Sequence, residues 1–439
     1  MPVLRLALPL KKLGTTSKVA LVVGLVIMPF IIISLLRGGR GYEHNAAVHK
    51  APRLEMKKFL TNSPETQSDL RMRFAKRRSH LQEQCKVLKR YYDTQNSENA
   101  VKEHLTINRK HNLVYCAIEK IGCTFWKRVF QILSGFKNVT DPFQIQAIRA
   151  YQGYQTAKGL PFDQIHYILK HSKSFIFVRE PYERLLSGYV DKLFAPNAAY
   201  WGFIGTYIAE NFRPNDTETA NKCGNDITFK EFIQYFIHSQ QNNIRRDAHF
   251  VPNFEHCRPC ELDYEYVGKL ETFEDDTLFL LKELKLDSEV KFTDFQGESD
   301  RDAIRDAADY VFSMRHAITK CMSMHEALFR AYRKLQIRGI ISKHIEYPFV
   351  RDSQRDISSE EYKQELLAAH AQSGPASSRK DNRKEAFLEA FSTIPQELLD
   401  SLKDELSIDA NLFGYEEMPK LVQDAKHYTP TFQYFDLKM

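Results

Sequence analysis

Several residue types are scarce in this sequence. Its 439 residues include only 7 cysteines and 2 tryptophans, and glycine (18) and proline (17) are sparse. So few, dispersed cysteines exclude a disulfide-dense small scaffold and an array of zinc ribbons, and the glycine and proline counts exclude collagen-like and low-complexity chains. The net charge of +6 and the pI near 8.7 fall short of a dedicated nucleic-acid binder, so no nucleic-acid partner is expected. The mean hydropathy of −0.45 excludes a polytopic membrane protein. What is present is a 43% hydrophobic, 12% aromatic chain, enough to fill a sizeable core.

One long uncharged run stands near the N-terminus. Residues 19–36 (VALVVGLVIMPFIIISLL) carry no charge over 18 positions, and a helix of this length spans roughly 27 Å, close to the thickness of a bilayer core. The alternative is a cleaved signal peptide, whose apolar run is only about 7–15 residues. The run therefore predicts a transmembrane signal-anchor after a cytoplasmic tail of residues 1–18. Two sequons, at Asn138 and Asn215, favour a glycosylated lumenal portion and so a single-pass type II protein.

Residues 37–105 are interpreted as a basic stem. Positions 53–90 hold 11 Lys and Arg against 4 Asp and Glu, and apolar residues recur there at helical spacing. A solvated amphipathic helix is one interpretation; a dimerising stem that attracts a polyanion, with Cys85 cross-linking two chains, is the other. Cys257 and Cys260 lack a second pair at zinc spacing, so disulfide pairing in an oxidising compartment is expected and no metal site is predicted. The pairing itself stays open.

A compact domain is predicted from residue 106 to 418, followed by a C-terminal tail (419–439). Residues 113–117 and 174–178 have strand character, and each is followed by a loop and a helix, at 125–133 and 182–194. Strands that alternate with helices predict an α/β fold with a three-layer, mainly parallel sheet.

The loop after the first strand has the composition of an anion site. Gly122 permits close backbone approach, the helix start offers unpaired amides, and Thr124 adds a hydroxyl. It is not a Walker loop, because G-x-x-x-x-G-K-[ST] is missing; an ordinary basic helix start is the alternative. The candidate binding residues of this P-loop-like segment are Lys120, Ile121, Gly122, Cys123, Thr124, Phe125, Lys127 and Arg128.

A second strand–helix junction strengthens the first. Arg179 ends the second strand, where its guanidinium suits a bidentate grip on phosphate. Arg184 and Ser187 share one face of the helix that follows, where both could bind the same phosphate. The alternative for Arg184 is a structural ion pair with Asp191 or Glu180. Two such junctions predict a ligand with two separated anionic groups.

These motifs resemble a known family. Residues 120–129 (KIGCTFWKRV) are similar to the 5′-phosphosulfate loop of Golgi carbohydrate sulfotransferases of the HNK-1, chondroitin 4-O and dermatan 4-O type, and 177–187 (FVREPYERLLS) are similar to their 3′-phosphate loop. Residues 249–272 and 413–415 also match. The resemblance covers residues 110–295 and 385–415, with a helical insertion at about 300–385. The chain departs from the family at Glu119, Phe125 and Phe250, where Pro, Asn and Trp are usual.

The resemblance implies a membrane-bound Golgi transferase that uses 3′-phosphoadenosine 5′-phosphosulfate and no metal. Lys120 would act on the leaving phosphate, the first loop would hold the 5′ phosphate, and Arg179 and Ser187 the 3′ phosphate. His249 is the candidate general base, with His171 as a weaker alternative. The acceptor would be a glycosaminoglycan or glycoprotein glycan, with a GalNAc 4-hydroxyl of chondroitin or dermatan favoured; a homodimer is possible.

Two rival functions follow from the same residues. A phosphotransferase using a nucleoside triphosphate is disfavoured, because the Walker lysine spacing and a clear magnesium carboxylate are missing. An inactive family member acting as a membrane-anchored glycan-binding protein is favoured by Glu119 and Phe125, which alter the donor loop.

Overall fold

The structure, a computed structural model, describes residues 65–92, 98–213, 223–350 and 355–436. Three predicted segments lie outside these residues: the cytoplasmic tail at 1–18, the membrane span at 19–36 and the first part of the stem. Among the helices in the described ranges, none combines the length and the apolar character needed to cross a bilayer.

A five-stranded mixed sheet of order β3–β1–β2–β4–β5 organises the fold. β2, β4 and β5 are parallel, whereas β1 is antiparallel to β2 and β3, so the expected mainly parallel sheet is correct for one half only. The reason is that only residues 109–112 join β1 to β2, too few for the crossover that parallel neighbours need. The strands are β1 (Leu105–Asn108), β2 (Leu113–Cys116), β3 (Gln155–Thr156), β4 (Lys173–Val178) and β5 (Tyr266–Lys269).

Helices surround this sheet and form most of the other described residues. Short 3-10 turns at Pro142–Gln144, Ala147–Arg149 and Leu270–Thr272 and π-helical turns at Val190–Phe194 and Trp201–Gly205 connect some of them. The helices are α1 (Gln67–Tyr92), α2 (Glu98–His104), α3 (Cys123–Leu133), α4 (Phe162–Lys170), α5 (Pro181–Tyr189), α6 (Ala198–Tyr200), α7 (Thr206–Phe212), α8 (Phe229–Asn242), α9 (Asn253–Cys257), α10 (Pro259–Leu262), α11 (Phe273–Glu283), α12 (Phe295–Ser313), α13 (Arg315–Ile318), α14 (Met324–Ile337), α15 (Ser359–Gln372), α16 (Ala376–Ser392), α17 (Gln396–Phe413) and α18 (Lys420–Ala425).

Both faces of the sheet are covered. The ring of Tyr115 on β2 lies against Trp126 of α3, with the ring centroids 6.0 Å apart. Successive strand residues face opposite sides of a sheet. Cys116, the residue after Tyr115, therefore faces the other side, where it is disulfide-bonded to Cys257 at the end of α9. Trp126 is fully buried, as core packing predicts.

The helix predicted within the stem belongs to the folded domain. α1 packs against β5 and α17, and its Phe74 and Leu81 are buried. Cys85 is joined to Cys260 within the chain rather than to a second chain. A third disulfide links Cys223 to Cys321, and of the seven cysteines, all of which are described, Cys123 remains a buried thiol.

Two further segments of the predicted domain organisation are described by the structure. Between residues 295 and 392 the described residues include helices α12 to α16, and α12, α14 and α15 form a hydrophobic cluster with Trp201. The insertion at about 300–385 stays a prediction. The segment predicted as a C-terminal tail packs on the domain: Tyr434 is fully buried, and its amide donates to Glu389.

Candidate functional site

The two predicted junctions lie at the same edge of the sheet. Cys116 pairs with Ile176 in the parallel β2–β4 ladder, so both strands end side by side. Ligands bind at the carboxyl ends of such strands. The Arg184 guanidinium joins the junctions directly, because its Nε donates to the Glu119 carbonyl at 3.1 Å.

The first junction is a tight turn that carries its lysine in a rare backbone conformation. Lys120 has a φ of 69°, unusual for a residue with a side chain. Gly122 has a φ of 75°, and a Cβ there would lie 2.6 Å from the Phe273 ring, so glycine is required on both counts. α3 starts at Cys123, and the first amides to bond backward are those of Phe125 and Trp126, both to the Gly122 carbonyl. The amides of Cys123 and Thr124 are left at the open helix end, where anions bind.

The Lys120 ammonium belongs to a cluster in which three lysines share one carboxylate. Asp191 lies 2.9 Å from the Lys120 Nζ, 3.3 Å from that of Lys192 and 2.5 Å from that of Lys334. Burial lowers the pKa of Lys120 to about 8, with the charges of Lys192 and Lys334 acting in the same direction against Asp191. Although burial opposes its ionisation, the three ammonium groups hold the pKa of Asp191 well below its usual range. The cluster is therefore suited to an additional anion.

Sequence reasoning did not connect Lys120 with these partners, and it considered Asp191 only as an ion-pair partner of Arg184. Asp191 and Lys192 are brought to it by the π-helical turn that follows α5, and such turns are frequent at functional sites. Lys334 comes from α14, more than 200 residues further along the chain. The only signal for Asp191 and Lys192 was that they continue the second motif; Lys334 had none.

The other first-loop candidates divide into site-facing and core residues. The Thr124 hydroxyl lies 3.4 Å from that of Tyr151, and the Lys127 ammonium lies 4.5 Å from the centre of the Tyr151 ring. Ile121 and Cys123 are buried, and burial raises the pKa of the Cys123 thiol.

Two of the predicted binding residues in this loop have structural contacts instead. The Phe125 ring is buried in an aromatic cluster, with its centre 5.3–5.9 Å from those of Phe143, Phe273, Phe292 and Phe295. Arg128 is 1% exposed and donates to both carboxylate oxygens of Asp302, at 2.9 and 2.8 Å. The Phe125 ring and the Arg128 ion pair therefore contact other parts of the protein, although the buried Nε of Arg128, like that of Arg179, has no hydrogen-bond partner among the described residues.

At the second junction Arg179 has free donor capacity. Its Nη2 donates to Glu183 at 3.2 Å, while its buried Nε has no hydrogen-bond partner among the described residues. Burial, with the charges of Arg179 and Arg338, lowers the pKa of Arg383, so three guanidinium groups lie near one another here. Ser187 is half-buried on α5.

Arg184, predicted to bind the ligand, is a structural residue. It is 4% exposed, and besides the Glu119 carbonyl it donates to those of Val251 at 2.7 Å and Ala248 at 3.3 Å. Neither Asp191 nor Glu180, its suggested ion-pair partners, is among these acceptors. The side chain holds the candidate base segment to the first loop.

His249 is oriented by a buried carboxylate. Its Nδ1 lies 2.8 Å from Asp247 Oδ1 and 2.8 Å from the Tyr200 hydroxyl, which in turn lies 3.1 Å from Asp247 Oδ2. A carboxylate only accepts hydrogen bonds, so Nδ1 carries the proton and Nε2 presents a lone pair. Burial and the charge of Lys192 lower the pKa of His249, against the effect of Asp247. The imidazole is thus neutral near pH 7, as a general base must be.

The remaining predicted positions lie away from this edge or outside the described residues. His171 is exposed at the end of α4, before β4 begins, and hence at the opposite end of that strand from Arg179. Asn138 is exposed, as a glycosylated residue must be. Asn215 falls outside the described residues. Phe250 is buried against Phe232.

Glu119 lies behind the Lys120 loop. Although burial opposes its charge, His104, His256 and Lys127 hold the pKa of its carboxyl well below the usual range. One atom of each of His104, Glu119 and His256 lies within 4.8 Å of the others, as metal ligands do. The carboxylate therefore lies beside the two histidines.

The structure combines an α/β fold with two cationic strand–helix junctions at one edge of its sheet, an arrangement suited to a ligand with two anionic groups. More specifically, the chain belongs to the sulfotransferase family, whose model matches residues 103–334. It is 35% identical over 195 residues to carbohydrate sulfotransferase 11 of Rattus norvegicus, covering 43% of this chain and 55% of the relative. It is 33% identical over 229 residues to carbohydrate sulfotransferase 9 of Homo sapiens (52% and 51%), and 32% identical over 194 residues to carbohydrate sulfotransferase 14 of Danio rerio (44% and 52%). The chain spans about half the length of these relatives. No solved structure matches it significantly.

Proposed function

We propose that the protein transfers a sulfuryl group from 3′-phosphoadenosine 5′-phosphosulfate to a sugar hydroxyl. The observation that carries this proposal is the in-register β2–β4 pairing, which brings Lys120 and Arg179 to one edge of the sheet. A nucleotide with a phosphosulfate at one end and a phosphate at the other matches two such cationic junctions. The membership of the sulfotransferase family supports the same donor.

The first junction is proposed to hold the 5′ end of the donor. The amides of Cys123 and Thr124 and the Thr124 hydroxyl fit a phosphate at a helix start. Lys120 stabilises charge on the departing phosphate oxygen, with Lys192 and Lys334 raising the local positive potential. Asp191 positions these ammonium groups. Because the Phe125 side chain is in the core, the loop contributes backbone rather than a side chain at that position.

The second junction is proposed to hold the 3′ phosphate. The unpartnered Nε of Arg179 supplies a donor that fits an oxyanion. Ser187 adds a hydroxyl, and Arg383 with Arg338 adds positive charge from the helical segment. Arg184 is a positioning residue here, since its donors are engaged by backbone carbonyls.

His249 is proposed to take the acceptor proton. As the acceptor oxygen bonds to sulfur, its proton moves to Nε2, and the bridging S–O bond breaks with the electron pair going to the 5′ phosphate. Asp247 and Tyr200 keep Nδ1 protonated and the ring in place, and Asp247 stabilises the imidazolium that forms. Lys192 lies near both His249 and Asp191 and so links base and leaving group in one site.

The acceptor and the compartment belong to the same proposal. Similarity to proteins named carbohydrate sulfotransferases supports a glycan acceptor. We favour a GalNAc 4-hydroxyl of chondroitin or dermatan. Three disulfides support an oxidising lumen, and with the apolar run at 19–36 they favour a type II Golgi membrane protein glycosylated at Asn138 and Asn215.

The test is incubation of purified protein with sulfur-labelled donor and a panel of desulfated glycans, followed by disaccharide analysis. Labelled product is expected with the wild type, and roughly 10²–10³-fold slower formation of it with Lys120→Met. Lys110→Met is the matched control, because this exposed lysine pairs with Glu289 away from the site. Failure to bind the donor's nucleotide product, together with no transfer to any glycan, would instead support an inactive glycan-binding member.

A further inference from the structure

Three side chains behind the Lys120 loop face one another without the hydrogen bonds they require. His104 ends α2, Glu119 precedes Lys120, and His256 lies in α9. His256 is 2% exposed, and the side chains of His104 and Glu119 are 13% and 15% exposed. Three elements that are distant in the sequence therefore converge on one small, nearly enclosed group, here called the His–Glu–His cluster.

The protons of the two imidazoles are assigned by their backbone contacts. His104 Nδ1 lies 2.9 Å from the Ala117 carbonyl, and His256 Nε2 lies 2.8 Å from the Ala248 carbonyl. A carbonyl only accepts, so both of these nitrogens carry hydrogen. The two remaining nitrogens, His104 Nε2 and His256 Nδ1, lie 3.1 Å apart. In the neutral rings both are lone pairs, and two lone pairs do not form a hydrogen bond.

The carboxylate of Glu119 adds a third group that has lone pairs but no hydrogen to share. Glu119 Oε2 is buried and has no hydrogen-bond donor in the part of the chain that the structure describes. It lies 3.6 Å from His104 Nδ1, beyond hydrogen-bond distance. A proton shared by the two histidines would satisfy the nitrogens but would leave this oxygen without a partner. A metal ion uses all three groups.

We propose that His104, Glu119 and His256 bind one zinc ion. Two imidazoles and a carboxylate are a ligand set that zinc uses in proteins, and metal-ligating histidines usually donate their other N–H to a carbonyl, as both do here. Zinc–nitrogen bonds of about 2.0–2.1 Å to nitrogens 3.1 Å apart subtend roughly 95°, within reach of a tetrahedral site after a small side-chain rotation. The cysteines nearby are unavailable as ligands, because Cys116 and Cys257 are joined to each other.

The position of the ion would allow it to hold the Lys120 loop and the His249 segment together. Glu119 is followed by Lys120, while the carbonyl that orients His256 belongs to Ala248, the neighbour of His249. Zinc would therefore tie the donor loop to the segment that carries the base, beside the Cys116–Cys257 disulfide and the Arg184 contacts that join the same two segments. It does not touch the reacting atoms, so the three ligands are positioning residues for the proposed reaction.

The test is metal content and zinc titration of the purified full-length protein, with Co²⁺ absorption as a second readout. One zinc per chain is expected in the wild type. Glu119→Gln and His104→Gln should weaken zinc binding by more than the roughly 10–100-fold that loss of an outer-shell partner costs. His166→Ala is the matched control, because His166 and Glu261 form a surface pair 4.0 Å apart that no other histidine completes in the described ranges.

The outcomes separate zinc from a shared proton and from the proposed enzymatic activity. X-ray absorption of the wild type with nitrogen and oxygen neighbours only would support the site even if a variant fails to fold. A folded wild type that retains no stoichiometric zinc and shows an imidazolium resonance for the pair, or equal zinc binding in all variants, would overturn it. Zinc binding without sulfuryl transfer would leave the cluster intact and reject the proposed function alone.

Discussion

The two strand–helix junctions are built alike but use their cations differently. Each follows a parallel strand, turns sharply and starts a helix with basic residues. In the first, the ammonium of Lys120 faces the site and the guanidinium of Arg128 is engaged with Asp302. In the second, Arg179 faces the site and Arg184 binds backbone carbonyls. Each junction thus contains a cation that is proposed to face the ligand and a cation that is engaged within the protein, and residue type alone does not distinguish them.

The largest expected effect is a loss of kcat when Lys120, the proposed ligand-facing cation of the first junction, is replaced. Lys120→Met should lower kcat by roughly 10²–10³-fold, the usual cost of removing one group that stabilises transition-state charge. The fold should survive, because the methionine keeps the aliphatic stem. Turnover of labelled donor at saturation, beside the Lys110→Met control, measures this. A variant with near-wild-type kcat would remove Lys120 from the mechanism.

The next effect contrasts the two arginines of the second junction. Arg184→Met leaves the carbonyls of Glu119 and Val251 without their donor and removes one of the two donors to the Ala248 carbonyl. We expect the free energy of unfolding to fall by roughly 3 kcal/mol, since each buried unpaired group costs about 1–3 kcal/mol and some relax to water. Arg179→Met should cost no more than about 0.5 kcal/mol, the value of an i,i+4 ion pair. Urea unfolding with the disulfides intact compares them, and equal losses would contradict the division of roles.

The sequence predicted the junctions because they are local. Strand, turn and helix at 113–133 and 173–194 are set by patterns within about 20 residues, and the structure confirms both. β1 was missed because Thr106 and Asn108 are polar, although both are buried in the sheet. Because β1 makes the antiparallel pairings, its omission also led to the wrong prediction of a mainly parallel sheet.

The partners of the site residues were harder to predict, because they are distant in sequence. Lys334 reaches Asp191 across 143 positions, and Asp302 reaches Arg128 across 174. No spacing rule connects such pairs. The departure at Glu119 illustrates this: beside a phosphate loop it suggested weakened donor binding, whereas His104 and His256, 15 and 137 positions away, face its carboxylate.

A smaller effect is expected on donor affinity from the ligand-facing arginine. Arg179→Met should raise the KM for the donor roughly 10-fold to 100-fold, as the loss of a hydrogen bond to a charged group, about 1.5–3 kcal/mol, implies. The kcat should fall less, because the 3′ phosphate is remote from the reacting sulfur. Initial rates over a range of donor concentrations separate the two constants. A fall in kcat with unchanged KM would place Arg179 at the chemistry instead.

The smallest effect is a displacement of the acid limb of the pH profile. His249 is faced by Asp247, Tyr200, Lys192 and Glu119, and burial with Lys192 lowers its pKa. The pKa of the base is therefore below that of an ordinary histidine, and the acid limb of kcat/KM should lie at correspondingly lower pH. Lys192→Met removes a positive charge and should move the limb to higher pH. Asp247→Asn removes a negative charge and should move it to lower pH while also reducing the plateau, because a neutral amide stabilises the imidazolium and holds the Nδ1 proton less well than a carboxylate. Shifts of the same sign in both variants, or a limb that ignores both, would show that another group titrates.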